Sequence, residues 1–252
     1  MSRCHNIWTI ALLTVSCAIF TRRNDFQKGL DLYNKKDFQQ AAKHFDLYYT
    51  KKVKNDTTLY YLYDCYQRLN KTEKSIRILE ELVNLNSSDE KVYWNLYNYY
   101  RLNGMYFRMY DLLLNMKPEV KRVFRTKLAL TRRLFAELVY GAANTKTGID
   151  PLLFAESKGL LTRLPDGKLY EQDTITNGNL VIIFDRKLKP VYPKNFYAMN
   201  NISNHSFLFL PYMRLVEQGI MPFEEDLQPD KNASVINAVE AIENLRKKGV
   251  LK

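Results

Sequence analysis

The sequence predicts an all-α protein: a solenoid of helical hairpins followed by a small helix-loop-helix module. Three observations carry that expectation. Apolar and aromatic positions recur with a period of 34 residues through the first half of the chain. Short polar turns interrupt each period at the same place. Most of the nine Gly and eight Pro lie from Gly141 onward, so the composition changes there. A hydrophobic share of 46% and an aromatic share of 13% over 252 residues are enough to bury a real core.

The formal charge of +11, with a pI near 9.4, favours anionic partners: nucleic acid, an acidic wall polymer or lipid headgroups. It equally serves plain solubility, and composition does not separate the two.

Residues 1–22 read as a targeting segment. Arg3 gives a positive start, Ile7 to Val15 form an uncharged apolar run, and Arg22 and Arg23 close it. The run is short for a membrane span and suits a signal peptide. At its end, Leu13-Thr14-Val15-Ser16-Cys17 resembles a bacterial lipobox, with Thr14 where an aliphatic residue is usual. That resemblance implies cleavage before Cys17, lipidation of its thiol and tethering to a membrane. An ordinary cleaved signal or an uncleaved anchor would use the same run. The chain is expected to be exported to the cell envelope, facing the periplasm and held to a membrane by lipid. Cys65 would then be the one cysteine left, a small core residue in an apolar helical run.

The repeat is legible on four tracks: Leu32, Tyr66 and Tyr100; Ala41, Ser75 and Met109; Phe45, Leu79 and Leu113; Tyr48, Leu82 and Met116. Each unit reads as two short amphipathic helices joined by a polar turn, at Lys35-Lys36-Asp37, Asn70-Lys71-Thr72 and Asn103-Gly104. Asp56 and Ser88 are the expected N-caps of the second and third units. With Gly29 and Ala41 at small-residue positions and Tyr66 and Tyr100 at aromatic ones, residues 23–117 resemble three tetratricopeptide repeats. The resemblance implies a concave surface lined by the first helix of each unit. The matching positions are Tyr33 and Asn34; Tyr60, Asp64 and Arg68; and Trp94, Asn98 and Arg101. Amide, guanidinium and aromatic groups together suit a peptide segment of a partner protein.

Pro118 can open a helix, and apolar positions from Val120 to Leu138 continue its period. Residues 118–147 are therefore expected to supply one capping helix and a linker. Lys121, Arg122, Arg125, Lys127, Arg132 and Arg133 form its basic side.

From Gly148 two segments look alike. Each has a short helix ending at a glycine (Gly159, Gly219), an apolar pair, a loop, and a Thr or Ser opening a second helix (Thr176, Ser234). Residues 148–252 thus resemble two copies of the S-layer homology family, over about 148–190 and 202–247. The family's Thr-Arg-Ala-Glu signature reads Thr176-Asn177-Gly178-Asn179 and Ser234-Val235-Ile236-Asn237, without the Arg and Glu. The resemblance implies a cell-wall polymer as a possible partner of this module, although the family's Arg contacts that ligand.

Nothing in the sequence assembles a catalytic site. Beyond the targeting segment the histidines are His44 and His205, and there is no zinc-type cluster, phosphate loop or nucleophile elbow. The acidic runs Glu80-Glu81 and Glu224-Glu225-Asp226 read as surface charge. Basic residues are dispersed, so no nucleic-acid partner is expected. No cofactor or metal is called for. The expected function is that of a non-catalytic envelope adaptor binding a partner protein through the groove. The alternative is wall attachment through the C-terminal module.

Overall fold

The structure is a computed structural model and describes residues 25–50, 55–145 and 148–251. Cys17 and the expected targeting segment lie outside these residues. The protein is all-α, with twelve helices among the described residues and only isolated β-bridges beside them. It divides into two compact units between Leu96 and Tyr97. The sequence reading put its boundaries at 117/118 and 147/148 instead.

The first unit holds α1 (25–34), α2 (Phe38–Thr50), α3 (Asp56–Arg68), α4 (Thr72–Asn84) and the start of α5 (Glu90–Leu102). α3 packs against both α2 and α4. The hairpin turns repeat in backbone detail. Lys36 takes a left-handed φ of 63°, its N–H donates to Tyr33 O at 2.9 Å, and Asp37 N–H donates to Leu32 O at 2.9 Å. Thirty-four residues on, Asn70 has φ 54°, with Asn70 N–H to Gln67 O at 3.0 Å and Lys71 N–H to Tyr66 O at 2.9 Å. Within the second unit, Gly104 has φ 65°, with Gly104 N–H to Arg101 O and Met105 N–H to Tyr100 O at 3.2 and 2.8 Å. Each turn satisfies the last carbonyls of the helix before it. The predicted caps shift by a residue: Asn55, not Asp56, caps α3 by accepting Thr57 N–H, and Asp89 accepts Lys91 N–H at the start of α5.

Two of the four 34-residue stripes are buried throughout. Ala41, Ser75 and Met109 are each 0% exposed, and Phe45, Leu79 and Leu113 no more than 1%. A Cβ on Gly29 would lie 2.7 Å from Phe45 Cε1, so the ring fills the space over that glycine. Three tyrosines pack their rings while their hydroxyls reach a carboxylate on another helix. Tyr66 donates to Asp46 at 2.7 Å, Tyr49 to Glu81 at 2.7 Å and Tyr33 to Asp64 at 2.6 Å.

The second unit holds the end of α5, then α6 (Tyr106–Asn115), α7 (Pro118–Lys127), α8 (Arg132–Ala143), α9 (Pro151–Ser157), α10 (Asn177–Asp185), α11 (Phe209–Glu217) and α12 (Val235–Lys247). The single capping helix expected within 118–147 is two helices. Leu128 is extended, and Thr131 restarts the chain as an N-cap, its side chain accepting Leu134 N–H. Pairing by the intervening backbone overrides the helical period. Ala129 bridges Ser234, Thr131 bridges Thr174 and Thr176 bridges Asn232.

Those bridges join the entrances of α8, α10 and α12 in a closed three-way arrangement. Ile175 N–H donates to Leu130 O and Ala233 N–H to Ile175 O, both at 2.8 Å. Leu130, Ile175 and Ala233 are no more than 2% exposed and fill its centre. The entered helices carry docked neighbours: α9 on α8, α11 on α10, and α6 on both α8 and α12. A polar contact stitches each pair: Arg133 Nη1 to Asp150 Oδ2 at 2.8 Å, Arg214 Nη2 to Asp185 Oδ2 at 2.6 Å, and Tyr110 Oη to Glu243 Oε2 at 2.9 Å. The module has three parts where the sequence reading found two. α6 and α8 make the third, with α7 inserted between them.

Candidate interaction surfaces

On the first unit, three of the predicted groove residues, Tyr33 from α1 and Asp64 and Arg68 from α3, form one polar network. Asp64 sits a helical turn before Arg68, so both project from the same side of α3. Its carboxylate accepts the Tyr33 hydroxyl and Arg68 Nε, each at 2.6 Å. Burial alone would raise the Asp64 pKa, but the bonds from Tyr33 and Arg68 outweigh it and hold the carboxyl below its usual range. Donation to Asp64 pushes the Tyr33 hydroxyl up. Arg68 remains half exposed, its guanidinium 4.9 Å from the centre of the Phe38 ring. That leaves its outer N–H groups facing solvent in a fixed orientation, as recognition of a carboxylate or a backbone carbonyl requires.

The other predicted residues of this unit are placed as follows. Tyr60 is half-buried, with its hydroxyl 3.3 Å from Ser87 Oγ. Burial raises its pKa. Asn34 is exposed, and Trp94 is half-buried on α5. Asn95, beside Trp94, donates to the Tyr63 hydroxyl at 2.9 Å and ties α5 to α3. Sequence reasoning missed Tyr63 and Asn95.

Asn98 and Arg101 belong to the second unit. Asn98 is exposed. Arg101 donates through Nε to Glu137 Oε2 at 2.7 Å, and Glu137 also accepts Arg133 Nε at 3.3 Å. The Glu137 side chain is only 6% exposed, so Arg101 serves first to neutralise a buried carboxylate. The expected basic side of 118–147 is similarly engaged. Lys121 and Arg125 pair with Glu240, and Arg132 donates to Leu169 O and Thr162 O.

Cys65 is fully buried, and burial pushes its thiol up to about 12, which leaves it protonated and unreactive. Among the described residues, no three His, Cys, Asp or Glu side chains lie together as a metal-binding group. No helix among them is long and apolar enough to cross a membrane.

The second unit has an open cleft of about 740 Å³ where α10, α11 and α12 end. Lys187, Lys189, Lys194 and Lys248 supply its charge, and Val191 and Tyr192 its apolar wall. Nothing in the sequence brings Lys248, at the end of α12, to the lysines that follow α10; only the three-part packing does. Compared with protein-family models, curated proteins and solved structures, the chain matches none of them.

Proposed function

We propose that the chain is a non-catalytic adaptor of the cell envelope that holds a segment of a partner protein on the first-helix face of its hairpins. In this reading residues 23–117 act as tetratricopeptide-type repeats. The lipobox-like Leu13–Cys17 gives export and a lipid tether at Cys17. Tethering raises the local concentration of the captured partner and needs no chemistry. The observation that carries the reading is the Tyr33–Asp64–Arg68 network, whose half-exposed guanidinium is oriented before any partner arrives. A preset polar group costs less to order on binding than a free one.

The test is capture of envelope proteins on Arg68→Glu and Trp94→Ala variants, beside Lys43→Glu and Arg77→Glu, which alter exposed positions on the second helices. The first pair should lose a co-purifying protein that the second pair retains, with unchanged thermal transitions. Equal retention by all four would contradict the reading. Arg101→Ala is a poor probe, since it removes the shorter of the two arginine bonds to buried Glu137. Palmitate labelling that disappears in Cys17→Ser is the expected sign of the tether, and labelling that persists would remove it.

Attachment to wall polymer through an S-layer-homology-like module draws less support. Thr131-Arg132 carries the start of the signature missing from the other two copies. However, Arg132 is occupied by Leu169 O and Thr162 O, both at 2.6 Å, and Asn177 and Val235 stand at the equivalent positions.

A further inference from the structure

The connector between α10 and α11, residues 186–208, contains Arg186, Lys187, Lys189 and Lys194 and no Asp or Glu. It also carries most of the large exposed apolar side chains of its neighbourhood. Tyr192 is 70% exposed, Val191 54%, Phe196 48%, Tyr197 44% and Phe207 78%.

Val191, Tyr192, Phe196 and Tyr197 lie together. Tyr192 lines the lysine cleft and lies 5.6 Å from Phe196, ring to ring. Phe196 stacks on Phe209 at 6.1 Å, and Tyr197 meets Phe223 at 4.8 Å. The connector is also pinned. Lys194 N–H donates to Glu217, Asn200 N–H to Glu225 O, and Asn200 and Asn201 side chains to Asp226. Pro190 and Pro193 restrict the backbone between. A fixed row of exposed rings is an unusual surface unless something covers it.

The charge beside the rings is one-sided. Arg214 is neutralised by Asp185 through two bonds of 2.7 and 2.6 Å. Among the described residues, Glu217 is the one carboxylate lining the cleft, against the ammonium groups of Lys189, Lys194 and Lys248, while Lys187 Nζ donates to Lys158 O. Lys187 and Lys248 follow the last turns of α10 and α12, where cations also complement the helix dipoles. Lys189 and Lys194 lie beyond that range and have no such role.

We infer that this lysine cleft and aromatic row form a docking surface for a membrane that contains anionic lipid. Tyrosine and phenylalanine rings settle at headgroup depth, and lysine stems run along apolar surface while their ammonium groups meet phosphate. Flexible point charges suit a fluid layer of headgroups better than one fixed carboxylate, for which a planar guanidinium fork is the better partner. The irregular connector presents neither a strand edge nor a helix groove to hold a peptide. The surface lies wholly on the second unit, and the inference does not depend on the partner-binding face.

The test uses the full chain as Cys17→Ser, so that no acyl chain contributes. Hydrogen exchange is followed with vesicles of phosphatidylcholine alone and of phosphatidylcholine mixed with phosphatidylglycerol. Protection over 190–207 should appear only with the anionic mixture. The triple variant Lys189→Glu, Lys194→Glu, Lys248→Glu should lose that protection and weaken the anionic-lipid-dependent part of vesicle affinity on the order of a hundredfold. Tyr192→Ser with Phe207→Ser should weaken it further, with no change in the thermal transition. Partner capture by all these variants should be normal, which separates this surface from the adaptor reading. Absence of protection with anionic vesicles, or affinity unchanged by the charge reversal, overturns the inference. So does protection by an acidic wall polymer but not by vesicles, which would assign the cleft to a polysaccharide.

Discussion

The two units solve one problem in different ways. In each, a short helix cannot bury its apolar side alone and must find neighbours. The first unit uses one hairpin repeatedly, with tyrosine hydroxyls bonded to carboxylates on adjacent helices at part-buried positions. The second closes three helix pairs around joined entrances and buries two carboxylates, Glu137 and Glu243, at 4% and 5% exposure. The first unit thus depends on a repeated pattern in which each contact is modest. The second concentrates its stability in a few contacts that have no substitutes.

That contrast predicts unequal damage. Glu137→Ala should be the most harmful single change. It removes the carboxylate partner of Arg101, leaves Arg133 to Asp150 and Glu171, and opens a buried void, at a cost of about 3 kcal/mol in chemical denaturation. Asp64→Ala, which frees the half-exposed Arg68, should cost about 1 kcal/mol or less. Comparable losses would erase the distinction between the units.

The glycines make the next comparison. A Cβ on Gly141 would collide with the carbonyl of Tyr106, where α8 meets the backbone of α6. Gly141→Ala should therefore cost about 3 kcal/mol, because backbone cannot step aside. On Gly29 the obstacle is the Phe45 ring, a side chain that can shift, and Gly29→Ala should cost about 1 kcal/mol.

Acid sharpens the comparison further. Hydrogen bonds from Arg246, with help from Tyr110, outweigh burial and hold the Glu243 pKa below its usual value. Its contribution is whole above the unfolded carboxylate pKa of about 4.3 and is lost as pH falls through that value to the folded one. Glu243→Gln should flatten the acid limb of the melting temperature against pH, whereas Asp64→Asn should leave most of it in place. The smallest expected effect is a gain. Lys36 takes the left-handed conformation that Gly104 adopts without strain, so Lys36→Gly should stabilise the first turn by about 0.5–1 kcal/mol.

The hairpins were legible because each period reuses the same positions, so that Ala41, Ser75 and Met109 announce themselves together. The second unit was less so. Two of its parts share backbone geometry, the left-handed Gly159 and Gly219, more than side chains, and α6 ends without such a residue. α6 also falls on the 34-residue stripe through Met109 and Leu113, which hid its place beside α8 and α12, and α7 stands between α6 and α8 in the sequence. The break at Leu128 was illegible because it comes from pairing with residues far along the chain. Of the groove, Asp64 and Arg68 could be read as neighbours on one helix. Arg101's tie to Glu137 crosses what looked like a domain boundary, and no local pattern signals it.

Site-specific photocrosslinking in cells tests the central claim most directly. A photoreactive phenylalanine analogue would replace Tyr60 or Trp94 on the first helices, and Lys43 or Arg77 on the second helices. The account predicts one discrete adduct from Tyr60 and Trp94 and none from Lys43 or Arg77. Adducts of equal yield from both sets, or from Lys43 and Arg77 alone, would contradict it.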